Sequence, residues 1–516
     1  FDVTGTANAT LTQTAAANAV ITNSGTGNLT LNTDIAAGQQ YIGGAGVDTV
    51  SFAATGTTAS SLGGGDDVAT FAAVAGAGGS VDAGDGDDTV DLTAALAVSL
   101  SANANFEADI ANFERLNIEA YADLTAGGNV ANAVSLANLD DINYVSLEGA
   151  AGQTNVLTAT ISGFSTGGTF AQSALLGAGA NVVLTGAFTG ANDTFNLSAA
   201  GANGYANVGS LTLASVETVN ITTDDNAGAA PTTMFDLNLD ATSATTVTVT
   251  GDTGITFANG NLAAVRTLDA SGVTGTGAAG VVTFTATAGL DTTIITAGGN
   301  DVIAGNTGVD TITVGGGTDQ VTSGTGADSI DLTEATQAVD TIITTIGAAY
   351  TAAAADTVTG FVLGASGDNI DVADADVIAS GTTTLDLVNL DDSVSAGATA
   401  AIVQNITGAF DFDNTVANTN TISISGGTFA DAAALETALE TGGSHALTFS
   451  TNGMTAKDAF LAVWSDGTDA YVSIVETGAI ADNALAAAGT LDVINIIKLA
   501  GITDVSDFNA ANLDII

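Results

Sequence analysis

The feature that most constrains the fold of this sequence is an aspartate that recurs every nine residues between positions 298 and 331. Each aspartate follows a glycine by two positions and precedes a β-branched apolar residue by two; the fullest copies are residues 305–313 and 323–331. The repeating residues are Gly299, Asp301, Gly308, Asp310, Gly317, Asp319, Gly326 and Asp328, with Gly315 and Gly324 as further glycines of the same turns. This period predicts a Gly/Asp-rich turn followed by a short strand with one inward side chain, and such units stack into a parallel β-roll.

The stacking determines where the aspartates lie. Copies two apart are expected to lie at the strand spacing of about 4.8 Å, which aligns their aspartates in columns. Carboxylates about 4–5 Å apart repel each other by roughly 3–4 kcal/mol at an effective dielectric of 20. Ca²⁺ between them would remove this repulsion, because it accepts about 6–8 oxygen ligands from carboxylates and backbone carbonyls. One Gly-x-Asp is usually a solvated turn, whereas four copies in register favour calcium.

A first Gly/Asp-rich block lies near the start of the sequence. Residues 43–51 and 83–91 are full nonapeptide copies, and residues 62–67 form a degenerate copy between them. Asp66 lies two nine-residue steps after Asp48, which favours Asp66 over its neighbour as the column member. The candidate calcium-binding residues of this block are Gly44, Gly46, Asp48, Asp66, Asp67, Gly84, Asp85, Gly86 and Asp88.

The charge balance restricts the possible partners. The chain has 516 residues, with 56 Asp and Glu against 4 Lys and Arg, and a formal charge of −52. This surface lacks the cations that phosphate contacts require, so nucleic acid and anionic lipid are not expected partners, whereas divalent cations are. Hydrophobic residues make up 46% of the chain and the mean hydropathy is +0.39, so a folded core is feasible despite the charge.

Several enzyme classes are disfavoured by missing residue types. The chain has no cysteine and a single histidine, His445, which excludes thiol catalysis and a two-histidine zinc site and argues against a Ser-His-Asp triad. We therefore expect a protein that is not an enzyme, with His445 on the surface in a loop after a helix. No run approaches about 18 apolar residues, so no transmembrane segment is expected.

The pattern along the chain predicts an all-β protein, a parallel β-helix or β-roll solenoid with calcium-binding turns and a small C-terminal β-rich cap containing one helix. The middle repeats a looser motif at residues 110–118, 213–221 and 262–270, each a corner followed by a strand. The predicted segments are 1–95, a β-solenoid with the first block; 96–290, an irregular parallel β-helix; 291–375, the β-roll and its closing segment; and 376–516, the cap with a secretion signal.

The C-terminal part has clear local signals. Residues 356–372 predict two strands around a turn that closes the roll. Residues 431–440 predict a helix with an Asp N-cap, and residues 460–464 and 471–475 predict an antiparallel hairpin with Trp464 in the core. The apolar residues near the end look exposed beside aspartates.

Another three aspartates lie outside the nonapeptide blocks. Asp224, Asp225 and Asp252 are interpreted as solvated turn residues, with cation binding as the alternative.

The nonapeptides at 43–51, 83–91 and 297–331 resemble the calcium-binding repeats of RTX proteins. Residues 356–372, 496–501 and 505–508 resemble the closing segment, last strands and uncleaved secretion signal of serralysin-type C-terminal domains, although the protease motif His-Glu-x-x-His is absent. The Ala/Thr/Gly-rich middle, with its Val-Glu-Thr-Val-Asn-Ile element, is similar to surface-layer (S-layer) proteins of the Caulobacter RsaA type.

This resemblance implies an extracellular, structural, self-assembling protein that is exported by type I secretion and uses Ca²⁺ to fold and to join neighbouring copies. Its implied partners are other copies of the chain and cell-surface polysaccharide or lipopolysaccharide. An RTX adhesin or ice-binding solenoid is the alternative. An ice-binding face needs Thr-x-Thr at the same position in every coil, whereas the Thr pairs of this chain are expected to drift between coils. A polysaccharide-modifying enzyme with RTX modules is a third class, disfavoured by the scarcity of histidine and basic residues.

Overall fold

The computed structural model describes residues 1–13, 16–53, 58–73, 79–119, 132–140, 142–147, 158–173, 181–200, 209–225, 234–257, 260–345, 355–373, 386–387, 401–412, 419–449, 454, 458–481 and 484–515. The chain divides into two compact units, Phe1–Ala264 and Val265–Ile516. Both consist mainly of short strands, which confirms the all-β prediction.

The first unit is built from parallel sheets in which each strand pairs with the strand one coil later. Its longest sheet contains Ala9–Leu11, Leu29–Leu31, Thr49–Phe52, Val68–Phe71, Thr89–Thr93, Arg115–Glu119, Tyr144–Leu147, Gly168–Gln172, Thr194–Ala200, Thr218–Asp224 and Thr246–Gly251. A second sheet contains Asp2–Val3, Val20–Asn23, Gln40–Ile42, Ser60–Gly64, Val81–Asp85 and Ile110–Ala111. A third contains Asn132–Ser135, Thr158–Phe164, Asn181–Gly186, Ser210–Leu213 and Leu239–Asp240, and Phe235–Asp236 pairs with Ile255–Thr256. This pairing fits the predicted β-helix.

Strict alternation along the strands explains the sheets. In Thr246–Gly251, Val247 and Val249 are fully buried, while the alternating residues Thr246, Thr248 and Thr250 point outward. Parallel pairing places Val249 beside Ile221 of the preceding coil, so the inward side chains stack into a continuous apolar core.

The first unit also contains helices that the sequence pattern did not predict. Ala94–Ser101 and Ala104–Glu107 are α-helices, and Leu136–Asn138 is a 3₁₀ helix. Thr93 caps the first helix by accepting a hydrogen bond from the backbone N–H of Leu96 at 3.3 Å.

In the second unit, alternate nonapeptide strands enter two parallel sheets. One runs through Thr267–Val273, Thr293–Ile295, Thr311–Thr313, Ser329–Asp331, Asp356–Thr359 and Leu491–Leu499. The other runs through Val282–Thr285, Val302–Asn306, Gln320–Gly324, Thr341–Thr345, Asn369–Ala373 and Leu513–Ile515, and Thr276–Gly277 pairs with Gly298–Gly299. Copies two apart therefore stack, as predicted.

The end of the roll differs from the prediction. The strands predicted within 356–372 are present, but they do not form the closing edge, because Leu491–Leu499 and Leu513–Ile515 continue both sheets. The apolar side chains of these last strands, including Ile497 and Leu513, are buried rather than exposed.

In its described residues, the cap is a mixed β-structure with one α-helix. Asp458–Ser465 and Ala470–Thr477 form the predicted hairpin, and the second of these strands pairs antiparallel with Leu491–Leu499. The remaining strands are Asp386–Leu387, Val403–Ile406, Phe410–Asp411, Thr421–Ile424, Leu447–Thr448 and Leu513–Ile515. The helix Ala432–Leu439 is capped by Asp431, as predicted.

The cap has its own hydrophobic core, here called the cap core. Trp464 is fully buried in it, as predicted. The other large members of this core are Phe412, Phe429, Leu435, Leu439, Phe449 and Phe460. His445 follows the helix but is only 4% exposed, so the prediction of a surface histidine is wrong. In the described part of the chain, no helix is both long enough and apolar enough to cross a membrane.

Candidate metal centre

The nonapeptides at 297–331 form the second Gly/Asp-rich block. Because its strands stack in parallel, its aspartates lie in two columns. Ile303 pairs with Val321, and Ile312 pairs with Ile330, so each strand lies beside the one that comes eighteen residues later. The turn before each strand stacks in the same way and places its aspartate against the equivalent turn of the next coil. This is the arrangement expected from the sequence.

Backbone hydrogen bonds hold each column together. The backbone N–H of Asp301 donates to Oδ1 of Asp319 at 2.7 Å, and that of Asp310 donates to Oδ1 of Asp328 at 2.8 Å. All four side chains are at most 2% exposed. One oxygen of each carboxylate is thus turned toward the preceding turn in the interior of the roll.

Both columns continue beyond the nonapeptides. Asp319 donates its N–H to Asp340, and Asp340 donates to Asp368, at 2.9 and 3.0 Å. In the other column, Asp328 donates to Asp356 at 3.0 Å. The nine-residue spacing does not predict these residues as column members, because the steps of 21 and 28 residues break the period of 18. Each of these aspartates still lies two residues before an inward Ile or Val, and this local feature could have identified them.

The first block contains one column, and its register corrects the sequence analysis. The N–H of Asp48 donates to Asp67 Oδ1 at 2.6 Å, and the N–H of Asp67 donates to Asp88 Oδ1 at 2.7 Å. Asp67 is fully buried, whereas Asp66 is exposed and accepts a hydrogen bond from the N–H of Asp87. Placing Asp66 in the column was wrong, because the degenerate copy contains one extra residue. Asp85 is also exposed.

Other side chains form hydrogen bonds at both ends of this first column. Glu114 continues it by accepting the N–H of Asp88 at 2.7 Å. At the other end, the Tyr41 hydroxyl and the Asn23 amide donate to Asp48 at 2.7 and 2.9 Å. Both oxygens of Asp48 are therefore hydrogen-bonded within the protein.

Five of the other column carboxylates are incompletely paired. In each of them Oδ2 is buried and has no hydrogen-bond partner among the described residues. This holds for Asp67, Asp88, Asp301, Asp319 and Asp328. A buried, unsatisfied carboxylate oxygen carries a large desolvation cost. Carboxylate oxygens are ligands that Ca²⁺ accepts. Among the described residues, however, the group of three acidic side chains with oxygens within 4.8 Å of one another is Asp224, Asp225 and Asp252, not a column.

The environment of the columns disfavours the ionised form. Burial is the largest cause of raised pKa values here, and neighbouring carboxylates add to it in several cases. The pKa is raised to about 7 for Asp67, about 6 for Asp88, about 6 for Asp301, about 8 for Asp319, about 7 for Asp328, about 7 for Asp340 and about 6 for Asp356. Either protons or a cation must therefore neutralise the columns.

The glycines of the motif permit the close stacking of turns. A Cβ on Gly317, whose φ is +135°, would lie 1.9 Å from the carbonyl oxygen of Gly299 one coil earlier. A Cβ on the other predicted glycines would lie 2.0–2.6 Å from a backbone oxygen of the preceding coil. These are Gly44, Gly46, Gly84, Gly86, Gly299, Gly308, Gly315, Gly324 and Gly326. Any side chain there would force the coils apart and move the aspartates out of their columns.

A separate acidic cluster lies in the first unit. Asp224, Asp225 and Asp252 each offer a carboxylate oxygen within 4.8 Å of the others, a spacing that could hold a metal ion. Asp225 is only 1% exposed and its N–H donates to Asp252, so for Asp225 the interpretation as a solvated turn residue is wrong.

No model of a known protein family matches the sequence, and neither does the sequence of any curated protein.

Proposed function

We propose that this chain is a calcium-dependent structural protein of the cell exterior, a surface-layer or sheath subunit that assembles with copies of itself. The observation that carries this proposal is the set of five buried column aspartates whose Oδ2 atoms lack donors among the described residues, in a chain with a formal charge of −52. The likeness of the nonapeptides to RTX repeats supports the choice of Ca²⁺ and of type I secretion.

Calcium would make folding depend on whether the chain is inside or outside the cell. When calcium is scarce, the aspartates of each turn oppose the stacking of coils, which keeps the chain open for export. Outside the cell, Asp67, Asp88, Asp301, Asp319 and Asp328 would bind Ca²⁺ only in the stacked state, so binding stabilises the fold. Extracellular calcium modules commonly have Kd values of about 10⁻⁴–10⁻³ M, which suits such a switch.

Assembly of copies has its own electrostatic requirement. Two subunits that each carry a charge of −52 repel each other unless cations are shared between them. Calcium at exposed carboxylates would supply this, so self-assembly is expected to need more calcium than folding does.

One calcium titration tests both steps. Circular dichroism would follow folding and electron microscopy would follow assembly, on the same samples in chelator and at rising calcium. We expect β-structure to form first and ordered sheets or filaments to form at higher calcium. Magnesium at matched ionic strength is the control. Folding and assembly that are unchanged in excess chelator would contradict the proposal.

A second candidate, adhesion to a surface or to ice, is favoured by one observation. On three successive coils the pairing of the strands aligns the outward side chains, and one position carries threonine each time, although an outward Thr-x-Thr occurs only in Thr246–Gly251. The ranks are Thr194, Thr218 and Thr246; Asn196, Asn220 and Thr248; and Ser198, Thr222 and Thr250. These nine side chains are polar and uncharged, and the exposed Asp224 follows them on the same face. Partition of the protein into growing ice, compared between the wild type and Thr248→Tyr, tests this candidate; Thr285→Tyr, on an exposed position of the second unit, is the control.

A further inference from the structure

His445 is the sole histidine of the chain, and it is enclosed by the cap core. Its ring meets the Phe429 ring edge to face, with the centroids 5.2 Å apart. Nδ1 lies 2.9 Å from the Ser444 hydroxyl, and the backbone N–H donates to the carbonyl of Ala438 at 2.9 Å. The other ring nitrogen, Nε2, is buried and has no hydrogen-bond partner among the described residues. The Ser444 hydroxyl can serve Nδ1 in either protonation state, but the second N–H of an imidazolium, on Nε2, would have no acceptor among the described residues.

Charged groups of the surrounding elements do not compensate. On the helix before His445, the Glu440 carboxylate accepts backbone N–H groups of Gly489, Thr490 and Leu491. Glu436, on the same helix, interacts with Glu440 and Asp492. In the hairpin turn, Asp466 accepts from Thr468, Asp469 and Tyr471. Burial lowers the pKa of His445, and no charge among the described residues contributes to that shift.

We propose that His445 is an acid-sensitive latch: the cap is closed while the imidazole is neutral and opens when it takes up a second proton. The direction in which cap stability changes with pH follows from linkage, because the imidazole binds the second proton more readily in the open state than in the closed state. The contribution of His445 to cap stability is complete above the unfolded pKa of about 6.5 and falls as pH decreases below it.

The location of the latch gives its opening a structural consequence. Phe429 also contacts Trp464, with the ring centroids 6.3 Å apart, and Trp464 lies in the strand Asp458–Ser465. That strand pairs with Ala470–Thr477, which pairs with Leu491–Leu499, which in turn completes the roll beside Asp356–Thr359. Loosening around His445 therefore reaches the strand that covers the last coil of the roll. This device is independent of the calcium columns, which contain no histidine.

The composition of the chain makes the test direct. With one histidine and one tryptophan, [¹³C]histidine NMR reports the protonation of His445 alone, and fluorescence reports the surroundings of Trp464 alone. Both are recorded on the full chain at saturating calcium from pH 7.5 to 4.5. We expect the ring to titrate with a midpoint below 6.5 and the opening equilibrium of the cap to rise by up to about tenfold per pH unit below that value.

Matched variants separate His445 from the carboxylates that also titrate in this range. His445→Phe keeps an aromatic ring and cannot be protonated, so its cap is expected to stay closed at pH values where the wild-type cap opens. His445→Gln provides a second neutral variant if the Phe variant fails to fold. A ring midpoint at or above 6.5 would overturn the proposal. So would neutral variants whose fluorescence follows the wild-type pH profile.

Discussion

Asp66 and Asp67 are neighbours in the sequence with identical side chains, yet they occupy opposite environments. Asp67 is fully buried in the column of the first block, between Asp48 and Asp88, whereas Asp66 is exposed on the turn. A carboxylate can bind a shared cation in the roll only from the inner position. The pair is therefore a matched test of whether position in the column, rather than negative charge, matters.

Asp67→Asn removes the buried charge and keeps the size of the side chain. Without calcium, we expect the free energy of unfolding to rise, because an uncompensated buried carboxylate is lost. With calcium at about 100 times Kd, we expect loss of a stabilisation of up to about 2.7 kcal/mol from that site. The folded fraction by circular dichroism in chelator and thermal unfolding in calcium measure the two effects. Asp66→Asn is the control; an equal loss in this variant would contradict a column site.

Gly317 tests the close approach of the turns. Gly317 and Gly364 both have positive φ, at +135° and +106°, but a Cβ on Gly364 would meet nothing within 4 Å. Gly364→Ala is expected to lower the free energy of unfolding by about 1–3 kcal/mol through backbone strain alone. Gly317→Ala should cost about 1–3 kcal/mol more, because its Cβ overlaps the preceding coil. Urea unfolding measures the difference; equal losses would show that stacking does not require this glycine.

Among the elements, those with strong local signals were predictable. The helix Ala432–Leu439 has an Asp cap and leucines four apart, and the hairpin around Trp464 has two apolar runs joined by a polar turn. The helix Ala94–Ser101 was not predictable in the same way: Thr93 supplies a cap, but the Ala, Leu, Val and Ser that follow also occur throughout the neighbouring strands.

The candidate site was predictable as far as its spacing was regular. The period of nine gave the aspartates of the second block, and it failed at Asp67, Asp340 and Asp356, where insertions alter the step. In those places the register is fixed by which apolar side chains can enter the core, a tertiary effect that spacing alone does not contain.

Asn512 ties the last strand of the chain to the roll. It is fully buried; its amide donates to the carbonyls of Gly364 and Asp368 and accepts the N–H of Gly364. Asn512→Ala would remove the hydrogen bonds to the Asp368 carbonyl and the Gly364 N–H, while the Gly364 carbonyl keeps the N–H of Gly367. We expect a loss of about 1–3 kcal/mol in the free energy of unfolding, measured by urea denaturation. Asn405→Ala, at an exposed position, should change it by less than about 0.5 kcal/mol. Similar effects in both variants would rule out a special role for the buried amide.

For the whole molecule, the raised pKa values predict how stability depends on pH. A buried aspartate with a folded pKa of about 7 or 8, such as Asp67 or Asp319, favours folding while protonated. Its contribution is complete below the unfolded value of about 3.9 and is lost as pH rises through the folded value. In calcium-free buffer, we therefore expect stability to decrease from about pH 4 to pH 8, apart from the opposite and smaller effect of His445.

Excess calcium should reduce this loss, because a cation then replaces the protons. Urea midpoints at intervals of pH, with and without calcium, give the comparison. Calcium-free stability that increases between pH 5 and 8 would contradict the burial of ionisable columns.

The strands that complete the roll come from far along the chain: the hydrogen bond between Gly364 and Asn512 joins positions 148 residues apart. Closing so long a loop costs entropy before any contact compensates for it, so this step is expected to be slow compared with the winding of neighbouring coils. Until it occurs, Asp356–Thr359 and Asn369–Ala373 present open edges that another molecule can pair with. The speed of this last docking step therefore sets how long a newly formed molecule is exposed to aggregation.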